Sequence, residues 1–191
     1  MVKITNVKVY DLEESVIACR NAMRTTPPEY TKEEFEKSLE RATKLCTTPS
    51  NSGHANFLTG IRVSFDIVYP QYFSPELQRY HWIDIVTSAS KMHRLGAHIK
   101  ADSFNKYVDP RVIEIAQEYA IKFAENDNYE NRIKLLSNTP LGLELFMRIS
   151  TNYMQLKNIY HQRKNHRLKE DWGAFCEMIE QLPYFKEFIE N

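Results

Sequence analysis

Two segments in the first third of the chain alternate apolar and polar residues with a period of two. The segment 3–10 carries β-branched residues in rough alternation, and acidic residues follow it at 11–14. The segment 61–69 alternates more strictly, with an apolar side chain at every odd position. Because successive side chains of a strand point to opposite faces, both segments are predicted to be strands, and the acidic residues favour a helix after the first.

Apolar residues at helical spacing occupy much of the remaining chain. Thr31 and Glu34 form a capping box ahead of such a pattern, which predicts a helix over 31–46. Another helix is predicted to begin at Asp109-Pro110 and to end in the polar stretch 125–131.

Three further segments are predicted to be helical. Ser74 and Pro75 suit an N-cap and a first helical residue, and this helix is expected to run toward Ser90. Apolar residues recur at helical intervals from 141 to about 168, which predicts one long helix, and a shorter pattern covers 172–179. Two or three strands among five or six helices predict an α+β fold, with a small mixed or antiparallel sheet and predominant helices.

Composition indicates one domain without an overall electrostatic bias. The chain has 191 residues, 42% of them hydrophobic, so 1–191 is expected to form a single domain. Lys plus Arg equals Asp plus Glu at 25 each, which makes nucleic acid an unexpected partner. The three cysteines are widely spaced, and no run resembles a signal peptide or a membrane span. We therefore expect a cytoplasmic protein without membrane contact.

Several kinds of site are disfavoured by spacing. His161 and His166 are five residues apart and would point to different faces of one helix, so no metal site is expected. None of the cysteines has a histidine neighbour in sequence, and the five glycines form no phosphate-binding motif. A nucleotide would therefore have to be held by side chains.

Two polar clusters are candidates for ligand binding. The segment 160–169 carries several basic side chains, with amides at helix-compatible intervals, which suits an anion and the edge of a base or flavin. The segment 78–94 places Arg, His, Lys and hydroxyl groups on successive turns of the predicted helix, which suits phosphate. The structural alternatives are a solvated helix face for the first cluster and an interfacial helix with paired charges for the second.

Three features resemble the flavin-dependent thymidylate synthases, over about residues 15–180. Gly53 and His54 precede the strand 61–69, as a glycine-histidine pair precedes the central strand of that family. The segment Arg79-Tyr80-His81, followed by Ser90, is similar to a degraded form of the family signature RHR-x7/8-S. The third feature matches the family's C-terminal helix in spacing and consists of Pro140, Asn152, Leu156, Asn158, Arg163 and His166.

The signature departs from the family pattern at three positions. Tyr80 replaces the histidine, His81 replaces the second arginine, and Ser88 replaces the glutamate expected two positions before the serine. A register anchored on Gln78, which lies near the position of a family glutamine that contacts the nucleotide, would instead place His81 on the first arginine.

The resemblance implies a homotetramer whose active sites are shared between subunits. It places these residues at the flavin: His54, Arg79, His81, Asn152, Asn158 and His166. It places these at the nucleotide: Gln78, Ser90, Arg94 and Arg163, with Arg79 also near the phosphate. Arg163 is the implied catalytic residue, because it would polarise the pyrimidine carbonyl. The interpretation requires the Arg163 helix, the Arg79 segment and the His54 loop to meet in one cavity.

The implied function is methylation of dUMP to dTMP, with methylenetetrahydrofolate as carbon donor and NADPH as reductant through FAD. A related hydroxymethylation of dUMP is an alternative, since Ser88 replaces the expected glutamate. Another is a catalytically inactive homologue that binds a nucleotide or a partner protein. The third is a helical RNA-binding protein that uses the basic stretch 163–169.

Overall fold

The computed structural model describes residues 1–49 and 52–191. The strands are β1 (Lys3–Tyr10), β2 (Arg62–Pro70), β3 (Asp84–Ser88) and β4 (Glu144–Asn152). The α-helices of the described ranges are α1 (Leu12–Ala18), α2 (Lys32–Cys46), α3 (Ser74–Leu77), α4 (Lys91–His98), α5 (Pro110–Glu125), α6 (Tyr129–Ser137), α7 (Tyr153–Arg163) and α8 (Lys169–Glu180). Short 3-10 helices lie at Asn21–Met23, Asn56–Thr59, Gln71–Phe73 and Ala101–Ser103, and a π-helical turn spans Lys186–Glu190.

The strands form one antiparallel sheet in the order β1-β2-β4-β3. Strands β2 and β4 pair along their full lengths, with Phe65 opposite Ile149. Both of these side chains are fully buried, and Phe65 meets Phe175 of α8 edge-on, with 5.7 Å between ring centroids. The main core therefore lies on one face of the central strand pair. The predicted fold class, α+β with a small antiparallel sheet and predominant helices, is confirmed.

Elements with strong local signals lie where the sequence predicts them. Thr31 caps α2 by accepting a hydrogen bond from the Glu34 backbone N–H at 3.2 Å. Asp109 caps α5 by accepting from the Arg111 backbone N–H at 2.9 Å, and α5 ends in the expected polar stretch. The first strand, the helix after it, strand β2 and helix α8 are confirmed as well.

The prediction of one long helix from 141 to about 168 is wrong in its first half. Residues 144–152 form β4, and α7 begins only at Tyr153. Alternate residues of β4 are at most 3% exposed, namely Leu145, Met147, Ile149 and Thr151. The apolar positions of this segment suit a period of two as well as helical spacing, and pairing with β2 selects the strand.

The prediction of a helix from Ser74 toward Ser90 is also wrong beyond its first turn, and Ser74 is not its N-cap but the first residue of α3, without a capping hydrogen bond. Helix α3 ends at Leu77, and residues 84–88 form the edge strand β3 on β4. Ser90 instead caps the next helix, α4, by accepting from the His93 backbone N–H at 3.2 Å. The adjacent β-branched residues 85–87 favour a strand, and the unpaired edge of β4 provides its hydrogen-bond partners.

Strand β3 is unusual because all five of its residues are exposed. Val86 is 62% exposed and Ile85 40%, and nearby Phe146 of β4 is 56% exposed. Exposed apolar side chains on an edge strand are typical of a contact surface. None of the helices within the described ranges has the length and apolarity that crossing a bilayer requires.

Candidate functional site

Arg163, the last residue of α7, forms the centre of a polar and aromatic cluster between α3 and α8. Its Nη1 donates to Oε2 of Glu76 at 3.1 Å, and Nε1 of Trp172 donates to the same oxygen at 3.0 Å. The Arg163 side chain is 15% exposed, and Trp172 is fully buried. We call Arg163, Glu76, Tyr80, Trp172 and His166 the Arg163 cluster.

Two aromatic rings fix the plane of the guanidinium group. Its central carbon lies 4.6 Å from the ring centroid of Trp172 and 5.5 Å from that of Tyr80. Arg163 Nε donates to the Tyr80 hydroxyl at 2.7 Å, and that hydroxyl donates to Oε1 of Gln162 at 3.0 Å. A guanidinium that is held by two aromatic contacts and by hydrogen bonds keeps its orientation before any ligand arrives.

The backbone hydrogen bond to His166 determines how its ring faces the cluster. The Leu168 backbone N–H donates to Nδ1 of His166 at 3.2 Å, so Nδ1 is an acceptor. In the neutral ring the proton then lies on Nε2, which faces Glu76 Oε2 at 3.6 Å. His166 also lines a cavity of about 430 Å³. The other lining residues are Arg163, Lys164, Asn165, Lys169 and Gly173.

The two asparagines of the predicted flavin site differ in environment. Asn152 is 3% exposed, and its Oδ1 caps α7 by accepting from the Gln155 backbone N–H at 2.9 Å. Asn158 lies half-buried on the same helix, and its side chain bonds no other residue of the described ranges. Asn152 therefore has a structural role in the chain, whereas the amide of Asn158 is available to a ligand.

A buried lysine fastens α7 to the rest of the molecule. Nζ of Lys157 donates to the backbone carbonyls of Cys46 at 2.8 Å and Phe188 at 3.3 Å. Burial lowers the pKa of Lys157, and burial raises the pKa of the nearby Cys46 thiol to about 11. The contact ties the helix that carries Arg163 to the C-terminal end of α2.

His54 lies in a different part of the chain. It follows Gly53, whose φ of +72° favours glycine, and its imidazole is exposed. The histidine lines a cavity of about 790 Å³ beside α1 and α2. The polar lining residues are Arg20, Lys37, Glu40, Arg41 and Lys44. This cavity and the one at His166 have no lining residue in common.

The residues predicted to bind phosphate lie on separate elements rather than on one helix. Gln78 and Arg79 follow α3 and are exposed, with Gln78 Nε2 donating to Ser74 Oγ at 2.6 Å. Exposed His81 packs edge-on against Trp82, with 4.8 Å between ring centroids. Ser90 and Arg94 belong to the cap and the exposed surface of α4. Their roles as ligand-binding residues stay predictions.

The structure thus brings together two of the three predicted segments. Tyr80, in the middle of the signature-like segment, bonds Arg163 directly, and the Trp82 backbone N–H donates to Gln155 Oε1 of α7 at 3.3 Å. The His54 loop faces another cavity of the same chain. Sequence reasoning missed Glu76 and the role of Trp172, although a glutamate three residues before Arg79 was a usable signal.

Comparisons with known proteins agree on the fold. No protein-family model matches the sequence, and a search of curated proteins finds no match. A flavin-dependent thymidylate synthase of Helicobacter pylori, complexed with FAD and dUMP, superposes with a TM-score of 0.74 at 17% identity, over 99% of this chain and 98% of that one. A second structure of that enzyme with FAD and dUMP gives 0.70 at 16% identity, over 99% and 97%.

A more distant structure extends the comparison. The UMP/dUMP methylase PolB of Streptomyces cacaoi, bound with 5-Br dUMP, gives a TM-score of 0.64 at 11% identity, over 94% of this chain and 88% of that one. Almost the whole chain therefore has the fold of the flavin-dependent thymidylate synthases.

Proposed function

We propose that the protein is an FAD-dependent transferase that methylates dUMP to dTMP. The observation that carries this proposal is the oriented guanidinium of Arg163, at the position where the family resemblance puts an arginine on the pyrimidine. The fold supports it, since two of the similar structures hold FAD and dUMP and the third is a pyrimidine nucleotide methylase.

The proposed reaction is a one-carbon transfer followed by reduction. The methylene carbon of methylenetetrahydrofolate replaces the hydrogen on uracil C5, and two electrons reduce it to a methyl group. In sum, dUMP, methylenetetrahydrofolate, NADPH and a proton give dTMP, tetrahydrofolate and NADP⁺. When bound, FAD supplies the carrier of these two electrons.

Arg163 has the geometry for the pyrimidine. Of its five N–H groups, Nε–H is used by Tyr80 and one on Nη1 by Glu76, which leaves three for a ligand. Donated to a uracil carbonyl, these hydrogen bonds stabilise negative charge on that oxygen as C5 attacks the methylene carbon. The exposed Arg79 and Arg94, with the Ser90 hydroxyl, are proposed to hold the phosphate.

The chain's polar groups suit the edge of a flavin. Asn158 offers a half-buried amide with both donor and acceptor capacity, and the ring of His166 has an orientation that is fixed by the Leu168 backbone N–H. A flavin ring edge alternates carbonyl oxygens with ring nitrogens, which amide and imidazole groups can match. The residues present therefore fit FAD, with His54 and His81 completing its surroundings in the proposal.

Completion of the site requires further copies of the chain. His54 and Arg163 face separate cavities within one chain, and the exposed apolar residues of β3 provide a surface for contact. We propose a homotetramer in which one subunit supplies the His54 loop and another the Arg163 cluster.

Replacing Val86 by Glu should lower the sedimentation coefficient and abolish turnover, whereas an unchanged sedimentation coefficient would count against β3 as the contact.

The central experiment is a binding and product assay on the purified protein. We expect the yellow absorbance of bound FAD, a rise in melting temperature with FAD and with dUMP, and a product with the mass of dTMP. A colourless protein that takes up no added FAD contradicts the proposal.

A second candidate is hydroxymethylation of dUMP, favoured by Ser88, which lies exposed on β3 where the family has a glutamate. In that reaction water adds to the methylene carbon, so dUMP, methylenetetrahydrofolate and water give 5-hydroxymethyl-dUMP and tetrahydrofolate without net consumption of NADPH. Product mass separates the two reactions. Binding of dUMP without either product would identify a non-catalytic homologue.

A further inference from the structure

Glu76 is the residue on which the donors of the Arg163 cluster converge. Its Oε2 accepts hydrogen bonds from Arg163 Nη1 at 3.1 Å and Trp172 Nε1 at 3.0 Å, and it faces His166 Nε2 at 3.6 Å. The carboxylate is partly buried, with a side chain 29% exposed. The hydrogen bond between a partly buried carboxylate and a guanidinium is stronger and more directional than that of an exposed ion pair.

The position of Glu76 is fixed from the interior of the protein. Helix α3, which carries it, is anchored by the fully buried Leu77, and Phe73 just before the helix is fully buried as well. Phe73 packs on Trp172 with 4.7 Å between ring centroids, so the indole that donates to Glu76 cannot shift freely. The carboxylate therefore sets the position of the mobile partner, the long Arg163 side chain, rather than the reverse.

The ion pair changes which ligand groups suit Arg163. An arginine without a counter-charge attracts phosphate most strongly, because phosphate is a dianion that matches its planar fork. With Glu76 at 3.1 Å the pair is close to neutral, so a second anion would be repelled by the carboxylate. A neutral carbonyl oxygen, such as that of a pyrimidine, remains a good acceptor for the three N–H groups that the cluster leaves.

We propose that Glu76 is a positioning residue, which holds Arg163 against Trp172 and Tyr80 and reserves it for the base rather than the phosphate of the nucleotide. This inference rests on the proposed function, since it assumes that dUMP binds at Arg163. Glu76 acts through Arg163 and makes no contact of its own with the nucleotide.

The test is a double-mutant cycle on the FAD-loaded protein, with dUMP titrated against the flavin absorbance spectrum. Glu76→Gln keeps the shape of the side chain but removes its charge, and we expect FAD to bind as in wild type while dUMP binds about tenfold more weakly. Glu180→Gln is the matched control, because Glu180 accepts a hydrogen bond from the Tyr160 hydroxyl at 3.0 Å and does not bond Arg163. Its dUMP titration should match wild type.

The cycle separates action through Arg163 from a direct or purely structural role. In an Arg163→Ala background, Glu76→Gln should cause no further loss of dUMP affinity. If the two losses multiply instead, or if Glu76→Gln alone changes nothing, the positioning role is overturned. Should Glu76→Gln not fold, Trp172→Phe removes the N–H that fixes the carboxylate, and it should weaken dUMP binding only when Arg163 is present.

The wild-type titration distinguishes this inference from the proposed function. A wild-type protein whose flavin spectrum does not respond to dUMP overturns both. A wild-type protein that responds normally, together with an unaffected Glu76→Gln variant, overturns the role of Glu76 alone.

Discussion

The Arg163 cluster and the cavity that His54 lines, which we call the His54 groove, differ in how strongly contacts within one chain fix their side chains. Arg163 is 15% exposed and bonded to Glu76 and Tyr80. His54 is exposed, and its backbone N–H donates to Ser52 Oγ at 3.4 Å. The first region is preorganised by packing and hydrogen bonds, whereas the second is an exposed surface beside α1 and α2.

In the proposed site, which two subunits would share, this difference separates a preorganised part from an exposed part. Groups that must be oriented in advance are best held by buried neighbours, because a flexible group would lose conformational entropy on binding. In the proposed homotetramer, a surface that another subunit covers can stay exposed until assembly. We therefore expect substitutions in the Arg163 cluster to affect folding and ligand geometry together, and substitutions in the His54 groove to affect ligand binding alone.

Truncation of the fully buried indole should have the largest effect. Trp172→Ala removes the ring that stacks on Arg163 and leaves a cavity, which should lower the free energy of unfolding by about 3–5 kcal/mol. His54→Ala is the matched truncation in the groove, and it should stay within about 0.5 kcal/mol of wild type. Urea unfolding measures both, and comparable losses would contradict the distinction between the regions.

Removal of the guanidinium should have the largest effect on activity. Arg163→Ala removes the proposed donor to the pyrimidine carbonyl and should lower kcat/KM for dUMP by about 10²–10³-fold. His54→Ala should lower it by about tenfold, because an exposed side chain contributes less to orientation. Steady-state product assays on both variants test the ranking, which fails if the histidine variant loses more.

Lys157 connects the two regions, since it joins α7 to the end of α2 that borders the groove. Lys157→Met keeps the volume but leaves the carbonyls of Cys46 and Phe188 without their donor, which should cost about 1–3 kcal/mol in the free energy of unfolding. Lys37→Met on the exposed surface of α2 is the control and should change stability by less than about 0.5 kcal/mol. Thermal and urea unfolding measure both variants, and equal free energies of unfolding for Lys157→Met and Lys37→Met would contradict the prediction.

The smallest effect concerns two buried thiols, one on a helix that borders each region. Burial raises the pKa of Cys46 on α2 and of Cys176 on α8 to about 11. Between pH about 9 and about 11 the unfolded chain therefore loses thiol protons that the folded chain keeps, so the free energy of unfolding falls as pH rises through this window.

Stability from the two neutral thiols should be fully present below pH about 9, and the fall should be less than about 1 kcal/mol per thiol after solvent screening. The double variant Cys46→Ala, Cys176→Ala should show a shallower decline when urea unfolding is repeated across this range. An equally steep decline would mean that other groups cause it.

Local signals in the sequence were sufficient for elements that contain their own determinants. Strand β2 alternates on every residue, and Thr31 and Asp109 cap their helices with hydrogen bonds to residues two or three positions away. The family resemblance likewise indicated Arg163 and the segment around Tyr80, which do bond one another. These features depend on contacts or spacings that can be read along the chain.

The sequence could not decide β4, β3 or the partner of Arg163. The apolar spacing from 145 to 151 fits two periodicities, and the paired residues of β2 lie 76 to 88 positions earlier in the chain. Likewise Glu76 and Arg163 are 87 residues apart, so no local pattern relates them.

The amino-acid sequence by itself determined the fold class, the cap at Thr31 and which residue types could bind a nucleotide, because these follow from short-range periodicity and side-chain chemistry. Only the tertiary structure decided that Glu76, Tyr80 and Trp172 hold Arg163 while His54 faces another cavity. That choice depends on long-range packing, in which buried surfaces from distant segments select one arrangement among those that local preferences allow.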